Sequence, residues 1–323
     1  MAEPSRLLTK LSQRLFPDPT EQAAFCDRLT HPHPLHPSIL WRDSPPEPHP
    51  FECESPLPWQ PPFCDRLALG QQPGKHPLHD QGAFYCLDFS SIFAATPLLT
   101  VRDRLGDAVT GAIDVCAAPG GKSLFAWKAL QPEWLISNEV IGKRIGALQS
   151  NLKRCRIAAA RITNLDSQVL AERIPHTAQV AIVDAPCSGQ SLIAKGGKAP
   201  GCFHPVTINA NANRQKRILA NSAQLIAGQG YLLYMTCTYA PAENEQVVDW
   251  FLNRFPQFQA VPVTPLQAYQ SQITEIPCYR LFPQSGLGAG AFTVLLHNTD
   301  NTPAQPVPPD FLSRTRLINL EGA

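Results

Sequence analysis

The sequence predicts an α/β fold: a mostly parallel central sheet with helices on both faces, joined to a smaller Pro-rich N-terminal region. Two observations carry this. From about residue 110, short apolar runs alternate with longer segments of helical periodicity, the rhythm of a buried parallel sheet. About half of the 33 prolines fall in the first eighty residues, where fixed φ and missing donors disfavour long helices and central strands.

Taken in order, residues 5–16 read as a short helix, because Leu7, Leu8, Leu11 and Leu15 recur at helical spacing. The stretch after it reads as an extended, loop-rich module, with His31-Pro32-His33-Pro34 a solvated loop. Residues 112–115, 134–137, 160–163, 180–183 and 231–235 read as buried strands. Residues 122–130, 142–153 and 211–227 read as the helices between them. Two further strands are expected at 278–282 and 292–297. No internal repeat is present.

Composition narrows the function classes. A chain of 323 residues that is 44% hydrophobic suits one large domain or two smaller ones with a sizeable core. A net charge of +1 gives no global attraction to a polyanion, so a nucleic acid would have to meet a local basic face. The ten cysteines are scattered, without a CxxC pair or zinc spacing, so no metal is expected. The first ten residues lack the apolar core of a signal peptide, and no apolar run reaches membrane length. These features predict a reduced, cytoplasmic, soluble monomer with no membrane partner, most of its cysteines serving as small buried hydrophobes.

The most informative segment is Asp114-Val115-Cys116-Ala117-Ala118-Pro119-Gly120-Gly121-Lys122-Ser123. Small residues between a strand and a helix let the backbone approach a ligand, and the helix start favours a carboxylate or phosphate. A P-loop would need glycine where Cys116 stands, and G-x-G-x-x-G is absent, so S-adenosylmethionine remains as the cofactor. Glu139, Asp166 and Asp184 follow the second, third and fourth strands. An acid after the second can accept from both ribose hydroxyls, and one after the third from the adenine amine. Any one alone would usually be a helix cap.

Two cysteines end neighbouring strands: Cys187 in Asp184-Ala185-Pro186-Cys187-Ser188-Gly189, and Cys237 in Thr236-Cys237-Thr238. Pro241 and Glu243-Asn244-Glu245 then read as the first turn of a helix, which can lower a nearby thiol's pKa. A thiolate suits methylation at carbon 5 of cytosine: addition at carbon 6 makes carbon 5 nucleophilic. Asp184 is the candidate to hold the ring near nitrogen 3 and the exocyclic amine. These residues alone do not say which cysteine attacks.

Together the motifs resemble the Sun-type RNA cytosine-5 methyltransferases, over roughly residues 56 to 298. Further matches are Asn151-Leu152-Lys153-Arg154-Cys155, Gly82-Ala83-Phe84-Tyr85 with Asp88, Ser90 and Ser91, and Pro58-Trp59. The resemblance implies a Rossmann-like class I methyltransferase domain over 81–300, with 1–80 as an RNA-binding module and 301–323 as a tail. It implies Cys237 as nucleophile, Cys187 assisting release of the product, and Asp184 and Lys122 in the catalytic set. The cofactor would be held by Cys116, Ala117, Ala118, Pro119, Gly120, Gly121 and Lys122, with Glu139, Arg144, Asp166 and Asp184. The substrate would be ribosomal or transfer RNA.

The chain departs from the pattern in three places: after Gly189, where Gln190-Ser191 follows; at Gly288-Ala289-Gly290-Ala291-Phe292, where an acid is missing; and in the N-terminal region, which is proline-rich rather than plainly basic. Basic residues that can meet RNA are Lys143, Arg144, Lys153, Arg154, Arg156 and Arg161, then Lys195, Lys198, Arg214, Lys216 and Arg217, with Lys195 to Lys198 best placed for phosphates. Two alternatives are weaker. An amine methyltransferase needs no cysteine after the fourth strand. A non-catalytic RNA-binding or ribosome-assembly factor would not need to keep Cys237 and the glycine loop.

Overall fold

The computed structural model describes residues 3–106, 109–157 and 160–318. The chain opens with α1 (Arg6–Leu15) and α2 (Pro19–Thr30). The hydroxyl of Ser5 caps α1 by accepting from the Leu8 N–H, and Leu8, Leu11 and Leu15 are buried as their spacing predicts. The second helix corrects the loop-rich reading. Asp18 caps it, and Pro19 stands in its first turn, where a missing N–H leaves nothing unpaired, so this proline starts a helix.

A small antiparallel sheet follows, built from β1 (Ser38–Trp41), β2 (Cys64–Arg66), a helical turn α3 (Pro77–Asp80) and β3 (Phe84–Leu87), in the order β2-β1-β3. Strands of three or four residues separated by prolines carry too few side chains to show a period. The third strand lies beyond residue 80, and its Tyr85 and Leu87 pack against the core of the larger domain. Gly82, at φ +69°, is tight against the backbone of Arg154: an added Cβ would lie 1.7 Å from that carbonyl oxygen.

The remaining elements run α4 (Phe89–Ala95), α5 (Pro97–Leu105), β4 (Gly111–Asp114), α6 (Gly121–Leu130), β5 (Trp134–Asn138), α7 (Gly142–Arg154), β6 (Ala160–Thr163), α8 (Ser167–Arg173) and β7 (Ala178–Asp184). Then come α9 (Ser191–Ala194), α10 (Pro205–Leu225), β8 (Ile226–Thr236), α11 (Glu245–Arg254), β9 (Phe258–Val261), β10 (Tyr279–Leu281), β11 (Ala291–Asn298), α12 (Pro309–Ser313) and β12 (Arg316–Leu317). Every expected strand and helix is present. The long helix α10 begins earlier than the periodicity shows, at Pro205, capped by His204.

The large sheet runs β10-β11-β8-β7-β4-β5-β6-β12, with β9 also on β11. Its five inner strands are parallel, and antiparallel strands close both edges. Alternate residues point to opposite faces. Ala112 and Leu135 enter one core under α4, α5 and α6, and Ile113 and Ile136 enter the other under α8, α10 and α11. Leu40, Trp59 and Cys64 of the N-terminal region share the first core. Chain order reverses between β4 and β7, so their carboxyl ends open a crevice where ligands bind in such sheets.

Candidate active site

A cavity of about 580 Å³ occupies that crevice, lined by Cys116, Ala118, Glu139, Arg144, Asp166, Asp184, Cys187 and Cys237, among others. The volume suits a nucleoside-sized cofactor. Ala117, Pro119, Gly120 and Gly121 shape the turn that leads into α6 and do not line the cavity. Gly120 has φ +115°, and a Cβ on Gly121 would stand 3.0 Å from the Tyr85 ring. The turn is tied from outside: Ala117 N–H donates to the Asn138 carbonyl at 2.7 Å, Asn151 donates to the Pro119 carbonyl at 2.9 Å, and Arg144 donates to the Ala118 carbonyl.

The acids after the second, third and fourth strands all line the cavity. Glu139 is buried, accepts from the Ile141 N–H at 2.9 Å and pairs with Arg144 at 3.0 Å. Asp166 caps α8 through the Gln168 N–H at 2.9 Å and pairs with Arg217 at 3.3 Å while lining the cavity. It is therefore both a cap and a wall. Asp114 is an acid the sequence reading left unassigned. It is fully buried, accepts from the Ser123 hydroxyl at 2.7 Å, and its second oxygen has no partner. Burial pushes its carboxyl up to about 7.

At the other end the two cysteines meet. β7 and β8 are parallel neighbours in register, so the loops that leave them run side by side and set the Cys187 and Cys237 sulfurs 3.1 Å apart. The hydrogen bond from Cys187 lowers the Cys237 thiol, against burial, with help from Ser191 and Lys122. The same contact, burial and the Glu243 charge push Cys187 well up. Either sulfur can donate in this contact, and the surrounding groups favour negative charge on Cys237 over Cys187. The expected helical turn after Cys237 is a 3-10 turn, Pro241–Glu243, and α11 begins at Glu245. Lys122 reaches across to Asp184, 3.1 Å from its carboxylate, and fixes that acid beside the sulfurs.

The Glu243-Asn244-Glu245 segment is wired into the site instead of serving only as a first helical turn. Glu243 accepts from the Ser188 N–H at 2.9 Å and from Gln215 of α10 at 3.0 Å. Asn244 accepts from the Thr236 hydroxyl at 2.6 Å and donates to the Thr238 carbonyl at 2.9 Å, bracketing Cys237. Glu245 forms a bidentate pair with buried Arg280. These contacts span up to 55 residues of chain, and no local period announces them.

Of the basic residues, Arg144, Arg214 and Arg217 line the cavity. Lys195 pairs with Asp88 at 2.9 Å. Arg154 and Arg161 donate to backbone carbonyls, and Lys216 lies over Trp250. Away from the cavity, His49, Cys53 and Asp65 cluster within 4.8 Å. The Cys53 sulfur is 3.6 and 3.8 Å from the two ring nitrogens of His49. An ion on either nitrogen would hold the sulfur well away from the other, so this arrangement does not fit a shared metal.

With this geometry in hand, comparison with known proteins is direct. A family model described as 16S rRNA methyltransferase RsmB/F matches residues 106–297. The ribosomal RNA small subunit methyltransferase F of Cronobacter sakazakii is 29% identical over 79% of this chain and 53% of its own length. The enzyme of the same name from an Escherichia coli strain is 30% identical over 71% and 48%. The chain spans about half the length of the curated relatives it matches. Among solved structures, a methyltransferase homologue from Pyrococcus horikoshii superposes with TM-score 0.72 at 19% identity, covering 91% of this chain and 95% of that one. NSun6 from the same organism superposes with TM-score 0.70 at 17% identity, covering 92% and 98%. These structures share the fold, a Rossmann-like methyltransferase sheet.

Proposed function

Since the chain belongs to the 16S rRNA methyltransferase RsmB/F family, we propose that it methylates carbon 5 of a cytosine in ribosomal RNA, using S-adenosylmethionine and Cys237 as a covalent nucleophile. The observation that carries this is the polarised pair of sulfurs, 3.1 Å apart, on the wall of the cavity that Glu139 also lines. The cofactor fits that cavity in size and donor set: Glu139 and Asp166 are the acceptors for its ribose and adenine. When bound, it supplies the electrophilic methyl group. The N-terminal region is proposed to help hold the RNA, and the protein to act as a cytoplasmic monomer. Among the described residues, no helix is long and apolar enough to cross a membrane.

The residues divide the work. The Cys237 thiolate adds to carbon 6 of the base, forming an S–C bond and making carbon 5 electron-rich. Asp184, held by Lys122, binds the nitrogen 3 and amine edge and stabilises charge as the ring adds. After carbon 5 gains its methyl group, its proton passes to solvent water, the C–H electron pair restores the C5=C6 bond, and the S–C bond breaks so that Cys237 leaves as thiolate. The Cys187 S–H, its sulfur 3.1 Å away, donates to that thiolate and stabilises the leaving charge.

Separate steps predict separate failures. Cys237→Ala abolishes methylation, because no adduct can form. Cys187→Ala still attacks, releases product slowly and accumulates a protein–RNA adduct that survives denaturing gels. An adduct in Cys237→Ala and none in Cys187→Ala would exchange the two roles. Full activity in both variants would remove the covalent route.

A further inference from the structure

Glu243 is an unusual carboxylate. It is 0% exposed, and among the described residues no lysine, arginine or histidine lies within 4.0 Å of it. A buried carboxylate without a cation is costly unless neutral donors hold it. Here they do. The Ser188 N–H and the Gln215 side chain both donate to Oε2, at 2.9 and 3.0 Å, and the Thr238 hydroxyl stands 3.5 Å from Oε1. The Ser188 and Thr238 hydroxyls are bonded to each other at 2.8 Å, so one carboxylate closes a ring between the residue after Cys187 and the residue after Cys237. Gln215 also donates to the Pro186 carbonyl at 3.0 Å, on the other side of Cys187.

Lys122 favours negative charge on Cys237 and Asp184 opposes it, while Glu243 disfavours negative charge on Cys187. The other titratable groups that face Glu243, Cys202 and Tyr234, are both held protonated by burial. Burial raises the Glu243 carboxyl as well, the Ser188, Gln215 and Thr238 donors oppose that rise, and Glu243 is the carboxylate placed to act on Cys187. At Cys237 the Asp184 carboxylate opposes negative charge more than the Lys122 bonded to it favours it, and the contact with Cys187 outweighs both.

We propose that Glu243 is a positioning residue that selects the attacking thiol: its cation-free carboxylate clamps the two cysteine loops together and keeps the negative charge on Cys237 by repelling it from Cys187. The choice between two adjacent thiols is then made by a residue that touches neither sulfur. The inference rests on the proposed covalent mechanism for its purpose, but not for its test.

Glu243→Gln separates charge from scaffold. The amide keeps an oxygen toward Ser188 and Gln215 and turns its NH₂ toward the Thr238 hydroxyl, so the hydrogen bonds survive while the charge goes. The measurement is alkylation of each cysteine by iodoacetamide as a function of pH, read by peptide mass spectrometry on the full chain without RNA or cofactor. In the native protein Cys237 labels at lower pH than Cys187. In Glu243→Gln the Cys187 profile moves down by about one pH unit, roughly a tenfold gain in labelling rate at fixed pH, and the lead of Cys237 narrows. A purely structural role predicts profiles that superimpose on the native ones, and that result overturns the proposal. So does Cys187 labelling first in the native protein, a result that needs no variant to fold. Absence of methylation by the native enzyme would instead break the functional reading and leave the labelling result standing.

Discussion

At the β5 and β6 end of the cavity, each carboxylate is met by an arginine that reaches in from solvent. The side chain of Arg144, 42% exposed, covers Glu139, and that of Arg217, 56% exposed, covers Asp166. At the β8 end the carboxylates are met from inside. Glu243 has neutral donors, and Glu245 has Arg280, whose side chain is only 3% exposed. An exposed arginine can swing aside as a ligand replaces it, because water takes up its charge. A buried one cannot move without stranding that charge. The cofactor end is therefore adaptable, and the thiol end is preformed.

The sharpest way to break this comparison is Glu245→Ala, which leaves Arg280 buried without its partner. It should cost about 3–5 kcal/mol of folding stability, measured by denaturant unfolding. A loss below about 1 kcal/mol would mean that the thiol end relaxes as easily as a surface. Next in size, Glu139→Ala removes a charged acceptor from the cofactor end. Calorimetry should show S-adenosylmethionine binding weakened by about 1.5–3 kcal/mol, roughly 10- to 150-fold. The smallest effect belongs to Arg217→Ala, an exposed pair that should change stability by about 0–1 kcal/mol. A larger change would show that this arginine is fixed in place and the cofactor end less adaptable than its exposure suggests.

The same contrast explains what could be read from the sequence. Strands such as Ala160–Thr163 and the glycine turn after Asp114 announce themselves through local pattern. Glu139, Asp166 and Asp184 follow from their register after successive strands, and both cysteines from theirs. The role of Glu243 does not, because its partners Ser188 and Gln215 lie 55 and 28 residues away and only the packed fold unites them. Asp114 stayed hidden for a related reason: a lone acid at a strand end looks like any other until its burial is known. The helix α2 was concealed by Pro19, a residue that argues against helix anywhere but in the first turn, where it stands.

The contact at Gly82 has a consequence for how a substrate would be measured out. Its α-carbon leaves no room for a side chain beside the Arg154 carbonyl, Lys128 donates to the Arg42 carbonyl at 2.7 Å, and Trp59 donates to the Tyr269 hydroxyl at 3.2 Å. These contacts, with the core shared by Leu40, Trp59 and Cys64, tie the small sheet and the segments around it to the larger domain. RNA gripped there would present its nucleotides to Cys237 at a constant offset, as along a ruler and not at the end of a tether. The cytosine chosen would then be set by its distance from the grip as much as by its neighbours in sequence.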